Sequence, residues 1–224
     1  MTKPTTPCAP QAAQGGMSLF ITLIALVLLT FAGLALLRSV DTGTLISGNL
    51  GFQETALSSG DAGTEAAIIW LTANAAGAAL FADSKPAGYY ATSADNCDLT
   101  GSTFSGASND INWTGTDPGA ACAMDARILP AGTAGVPPGY TVAYVVNRIC
   151  NAPGDPNLAV ASDGSTAMVC AKYVKPSGNG SSTRVGPAYG SGPLTGTPQY
   201  YYRITTRISG PRNTVRFIQA FIVL

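Results

Sequence analysis

From Met17 to Leu37 the chain runs MSLFITLIALVLLTFAGLALL, 21 residues without a charge. No other stretch narrows the folding options as much. As a helix rising 1.5 Å per residue, it spans roughly 32 Å, the thickness of a bilayer's hydrocarbon core. Three readings compete: a discarded secretion signal, a static anchor and an assembly helix. A cleaved signal has a shorter apolar region, about 7–15 residues, and a small-x-small cleavage site. The leading MTKPTTPCAPQAAQGG carries one positive side chain, Lys3, and Arg38 follows the run, so flanking charge does not orient the span. The absence of a charge inside it gives no sign of transport or proton relay.

Cysteine placement supplies an orientation. Cys8 precedes the run, and Cys97, Cys122, Cys150 and Cys170 follow it. Four cysteines in a Gly-, Ser- and Thr-rich region beyond a membrane segment point to two disulfides in an oxidising compartment. Four free thiols in a cytosolic protein are the alternative. No C-x-x-C pair occurs, which disfavours a zinc ribbon or a thioredoxin-type site. Four cysteines allow three connectivities. The preferred one joins Cys150 to Cys170, which end or interrupt two strand-like runs, and leaves Cys97 for Cys122.

A helical period continues beyond the apolar run. After a short polar patch, Asp41 to Asn49, the residues Phe52, Ala56, Ser59, Gly63, Ala67, Trp70, Ala73, Gly77 and Phe81 recur every three or four positions. They predict one helix over 17–82, with 17–37 as its membrane or assembly half. The predicted face is mostly small, suited to lying close on a sheet. Glu54, Asp61 and Glu65 fall on the opposite, solvated side. Each helical glycine costs up to about 1 kcal/mol against Ala.

Residues 83–224 form the expected head. From Asp83 to Gly139 the sequence predicts long loops with one or two short strands, tied down by Cys97 and Cys122. Tyr140–Cys150 and Thr166–Val174 read as paired strands, Lys175–Gln199 as a loop, and Tyr200–Ile208 and Thr214–Leu224 as a closing hairpin. Tyr202, Ile204 and Ile208 share one face. Arg203 and Arg207 point the other way and, with Arg216, suggest a small basic patch for solubility. The expected class is α+β, a helix packed on an antiparallel sheet.

Composition argues against several functions. Charged residues are 11% of the chain and the formal net charge is zero. With no basic run to neutralise phosphates, no nucleic-acid partner is expected. The chain has no histidine, which removes the usual general base and any Ser-His-Asp arrangement. No catalytic set, cofactor motif or phosphate-binding loop stands out, so the chain reads as a non-enzyme without a cofactor or metal. Asp95, Asp98, Asn109, Asp110 and Asn112 offer oxygens but no EF-hand pattern, and read as turn polarity. The sequons at Asn112 and Asn179 are short enough to arise by chance.

Helix first and antiparallel sheet last resembles the type IV pilins. Two segments resemble the PilX family of minor pilins: MSLFITLIALVLLTFAGLALLRS followed by GNL (48–50) and ALSSGDAG (56–63), and the closing YRITTRISGPRNTV (202–215). Together they cover about a third of the chain. Family members have a similar apolar run ending in Arg-Ser, then Gly-Asn, then an Ala-Phe-Gln-Ala-Ala-Glu-like stretch; Asp61 stands where Glu is usual. The resemblance implies a leader, 1–16, removed by a prepilin peptidase after Gly16, with Met17 the methylated mature terminus. Cys8 would leave with the leader. Ile21, Leu23, Leu26 and Leu29 would then pack in the assembly helix. Major pilins carry Glu at the fifth mature position, where Ile21 stands here, and that departure suits a place at the pilus tip.

The implied function is structural: a minor pilin priming or capping a type IV pilus. Implied partners are other minor pilins, the major pilin and a possible tip adhesin. The implied location is the inner membrane with a periplasmic head, then the pilus tip. Alternatives are a tip pseudopilin of type II secretion and a membrane-anchored adhesion or binding domain.

Overall fold

The computed structural model of the protein describes residues 17–100, 110–115, 122–174 and 197–224. Gly16 and Cys8, Asn109, the Asn179 sequon and nearly all of the expected 175–199 loop lie outside them. The chain divides into two units, Met1–Leu50 and Gly51–Leu224.

In the first unit every described residue is helical and exposed. This is the start of α1, Met17–Asn74, a helix of 58 residues. The polar patch does not break it. Thr42 and Thr44 donate their hydroxyls to the carbonyls of Arg38 and Asp41, so their polarity is satisfied inside the helix.

The helix was expected to reach residue 82 but ends at Asn74. Asn74 turns its amide back onto the Trp70 carbonyl at 2.8 Å, and the Ala75 N–H reaches Thr72 rather than continuing the ladder. Gly77 then takes a left-handed φ of 87°. Leu80 thereby leaves the helical line and enters the core, where it is 5% exposed.

Among the described residues, the head, Gly51–Leu224, holds six strands: β1 (Tyr89–Tyr90), β2 (Arg127–Ile128), β3 (Thr141–Arg148), β4 (Lys172–Val174), β5 (Pro198–Gly210) and β6 (Thr214–Val223). Strand β5 is the organiser. It pairs antiparallel with β3 along Tyr202–Ser209, with β4 along Pro198–Tyr200, and with β6 along Tyr201–Gly210.

The sheet is mixed, not purely antiparallel as expected, because β1 joins β3 in parallel. A tight hairpin would have forced the antiparallel sense. The long excursion between β1 and β3 removes that restraint. Gly88, at φ 67°, lets the chain enter: a Cβ there would lie 2.8 Å from the Tyr144 carbonyl oxygen.

A second correction concerns Thr166–Val174, expected to partner Tyr140–Cys150. Only Lys172–Val174 forms a strand, and its partner is β5. Strand β4 prolongs the column of β3 along the same side of β5. Cys150 and Cys170 meet at the junction, joined by one bridge of the ladder and a disulfide with Cα atoms 4.1 Å apart.

One sheet face packs on α1. Ala56, Ser59, Gly60, Gly63, Ala67 and Leu71 are the buried helix residues. Of the expected face, Phe52 and Trp70 are half-buried, while Ala73 and Gly77 are exposed because the helix has reached its end. Glu54, Asp61 and Glu65 are exposed, as their spacing requires.

The contact is close. A Cβ on Gly63 would sit 2.6 Å from both Thr206 Cγ2 and Val142 Cγ1, and one on Gly60 would sit 2.3 Å from Ile218 Cδ1. Beyond the small stretch, Leu71 packs with Tyr89, Tyr144, Val146, Tyr202 and Ile204 in the larger core.

These contacts set opposite signs for glycine replacements along one helix. Gly51 has no neighbour within 4 Å, so Gly51→Ala should stabilise by up to about 1 kcal/mol. Gly63 meets β-branched side chains with little room to give. Gly63→Ala should therefore lose about 1–3 kcal/mol to overpacking, more than its helix gain. Denaturant midpoints of the full chain in detergent measure both.

Candidate functional site

The part of α1 in the first unit is a candidate functional surface. Met17 is 73% exposed, Ile21 60%, Leu23 57%, Leu26 65% and Leu29 72%. Phe20, Ile24, Leu28, Phe31, Leu34 and Leu37 are exposed as well, so apolar side chains leave the helix on all sides. A surface helix on a folded core shows one apolar stripe; a helix apolar all round is built for burial in lipid or among other helices. By length and composition α1 is the one helix among the described residues able to cross a membrane. It is a candidate membrane anchor.

In the head, a buried cation organises the loops. Arg148, at the end of β3, is fully buried. Its Nη1 donates to the Leu80 carbonyl at 3.0 Å, Nη2 to Gly154 at 2.8 Å and Ala152 at 3.5 Å, and Nε to Ala91 at 3.3 Å. One guanidinium thus gathers the segment after α1, the segment after β1 and the loop after Cys150. The rigid fork of five donors suits this; a lysine would supply one ammonium centre.

Leu80 also accepts the Tyr89 hydroxyl at 2.7 Å. Burial pushes the Tyr89 pKa up, against the opposing charge of Arg148. Tyr89 packs between Trp70 and Tyr202, with ring centroids 5.4 and 6.5 Å away.

The other sheet face was expected to be outer and solvated. It is covered instead. Tyr90, Leu99, Ile111, Cys122, Met124 and Val145 form a second core there, and Thr205 is fully buried. The Cys97–Cys122 disulfide, Cα atoms 5.7 Å apart, staples this cover. Both disulfides therefore follow the preferred connectivity.

Tyr90 pins the cover to the sheet. Its hydroxyl donates to the Asp125 carbonyl and accepts the Asp125 N–H. Burial raises its pKa to about 12.

The expected basic patch does not form. Arg203 and Arg207 lie half-buried on the covered face, and Arg203 donates to the Ser93 carbonyl. Arg216 pairs with Ile208, which puts it on the opposite face. Desolvation lowers the pKa of both Arg203 and Arg207. In Arg203 Nε, and in Asn147 Oδ1 directly across the ladder, the sheet buries two polar atoms without a hydrogen-bond partner.

Two of the oxygen-rich loop residues have hydrogen-bond partners within the cover. Asp98 accepts the N–H and hydroxyl of Thr100, and Asn112 donates its amide to Asp125 at 2.8 Å. Among the described residues no cluster of His, Cys, Asp or Glu is arranged to hold a metal.

The sequence reading missed Arg148. Its only signal was a lone arginine closing the apolar strand YTVAYVVNR, whose burial depends on carbonyls distant in sequence. No protein-family model matches the chain, no curated protein matches it, and no solved structure matches it.

Removing the guanidinium strands the carbonyls of Ala91, Ala152 and Gly154 away from water and leaves Leu80 only the Tyr89 hydroxyl. Arg148→Ala should cost at least about 3 kcal/mol, and Arg148→Lys should recover little, both read from denaturant midpoints. Alkali should test Tyr90. Its stabilising share, as a hydroxyl neutral when folded, is complete below the ordinary pKa of 10.0 and is lost as pH rises through about 12. Tyr90→Phe should cost about 1–3 kcal/mol at neutral pH through the stranded Asp125 groups. It should also lose less stability than the parent between about pH 9 and 11.5.

Proposed function

We propose that this protein is a minor pilin that primes or caps a type IV pilus. The observation that carries the reading is the division of labour along one helix. Its first part exposes apolar side chains all round, and its second part presents small residues to the head. A fibre subunit needs this combination. It must rest in a bilayer, then exchange lipid for other helices without disturbing the fold of its head.

The head is stapled twice by disulfides, which suits a compartment outside the cytosol. The order of the apolar run, the Gly-Asn element at 48–49 and the closing hairpin adds the sequence resemblance. Ile21 leaves the first unit without a carboxylate near its start, so docking beneath a neighbour's amino terminus has no charge partner. A tip position asks for no such partner. In this reading the work is assembly, and the partners are other minor pilins and the major pilin.

The deciding experiment is the mass of the amino-terminal peptide from the native host. The expected peptide begins at Met17 and carries one added methyl group. A peptide beginning at Met1 would mean a static anchor carrying a binding domain. One beginning beyond residue 35 would mean a discarded signal. A clean deletion should reduce surface piliation while the major pilin is still made. Intact pili with failed enzyme secretion would reassign the subunit to a type II secretion tip.

A further inference from the structure

Among the described residues, the second core covers the far face of the sheet over Val145 and Thr205 and reaches the end near the closing hairpin through Ile111 and Trp113. There the sheet floors a cavity of about 390 Å³, lined by Thr100, Asp110, Ile111, Trp113, Arg207 and Phe217 among others. Arg207 and Phe217 are directly opposed on β5 and β6, so both side chains stand on this face. Trp113 meets Phe217 edge-on, ring centroids 5.7 Å apart.

Arg207 sets the site apart from the other inward-facing arginines. Arg148 has four carbonyls and Arg203 has Ser93. Arg207 has no hydrogen bond or ion pair to any described residue. Its pKa is lowered by desolvation alone, with no neighbouring charge as a contributing cause. A half-buried cation held this way lacks compensation for the water it has lost. An anion entering the cavity supplies it.

We propose that this cavity is a binding site for an acidic sugar, a ring bearing one carboxylate and several hydroxyls. Three parts of the site select that class. The guanidinium fork matches a carboxylate in two parallel hydrogen bonds. Trp113 and Phe217 offer the apolar ring surfaces against which the C–H face of a pyranose packs. Two further lining residues, Asp110 and Thr100, supply acceptors. Asp110 is an exposed carboxylate, and the Thr100 hydroxyl already donates to Asp98 and so has lone pairs left. Both call for O–H donors on the ligand, which a sugar has and a simple carboxylate lacks. Asp110 also disfavours a polyanion such as a phosphate ester. The volume lies within the range of small-ligand pockets, about 300–1,000 Å³. The inference holds whether or not the chain enters a fibre.

The test is a titration of the full chain in detergent with D-glucuronate, followed by ligand-observed NMR and by tryptophan fluorescence. Glucose and acetate are the controls. Glucuronate should saturate, and glucose, without the carboxylate, should bind about 10- to 100-fold more weakly, the factor for losing hydrogen bonds to a charged group. Arg207→Gln should weaken glucuronate by a similar factor. Asp110→Ala, an exposed change that leaves the core untouched, should weaken glucuronate and leave acetate binding no weaker. Failure of glucuronate to saturate overturns the proposal, as does binding that Arg207→Gln and Asp110→Ala both leave unchanged. Acetate binding as tightly as glucuronate overturns the sugar and leaves a bare anion site.

Discussion

The head is built on a close approach between a helix and a sheet, and four small residues make it geometrically feasible. Ser59, Gly60, Gly63 and Ala67 remove the side chains that would hold α1 away from β5 and β3. With backbone so near, the methyl groups of Thr206, Val142, Ile208 and Ile218 fill what is left. Such packing gains dispersion from many weak contacts and loses it steeply with any gap or overlap. The strand order follows from it. Strand β5 supplies residues to this contact and also pairs with β3, β4 and β6, so its placement fixes theirs.

A narrow helix contact leaves much of the sheet to be covered by other means. The chain uses loops, and loops carry backbone groups that need partners once buried. Arg148 answers this on one side, collecting four carbonyls from three segments. Tyr90 and the Cys97–Cys122 disulfide answer it on the other. Burying a guanidinium is unfavourable unless its nitrogens find hydrogen-bond acceptors. That requirement makes Arg148 a specifier of loop arrangement as much as a source of stability. Arg207 sits outside the rule, which is why its cavity stands out as a place for a ligand.

The two units answer to different solvents. Side chains of Met17–Leu50 are uniformly exposed, and the composition of the Met17–Leu37 run suits hydrocarbon. The head from Gly51 buries an apolar core in water's presence and satisfies buried groups such as Arg148 and Tyr89 internally. A continuous helix serves both because its backbone hydrogen bonds are internal and indifferent to the medium.

Much of this was legible in the residues alone. The uncharged run determined the first unit, because length and apolarity suffice for a membrane-type helix. The period of small residues from Ala56 to Ala67 determined which side of α1 would be buried. The alternation in Tyr202–Ile208 determined the sheet's inner face, and the place of Cys150 and Cys170 on two strand-like runs pointed to the pairs that form. Only the tertiary structure decided the rest. It ended α1 at Asn74, where Leu80 had a better place in the core than on a helix. It set β1 parallel, since a long connection imposes no sense on the strands it joins. It sent Lys172–Val174 to β5, because local patterning shows that a segment is a strand but not which edge accepts it. It also turned Arg148, Arg203 and Arg207 inward. An arginine's surroundings are made by segments far away in sequence, and no local pattern encodes them.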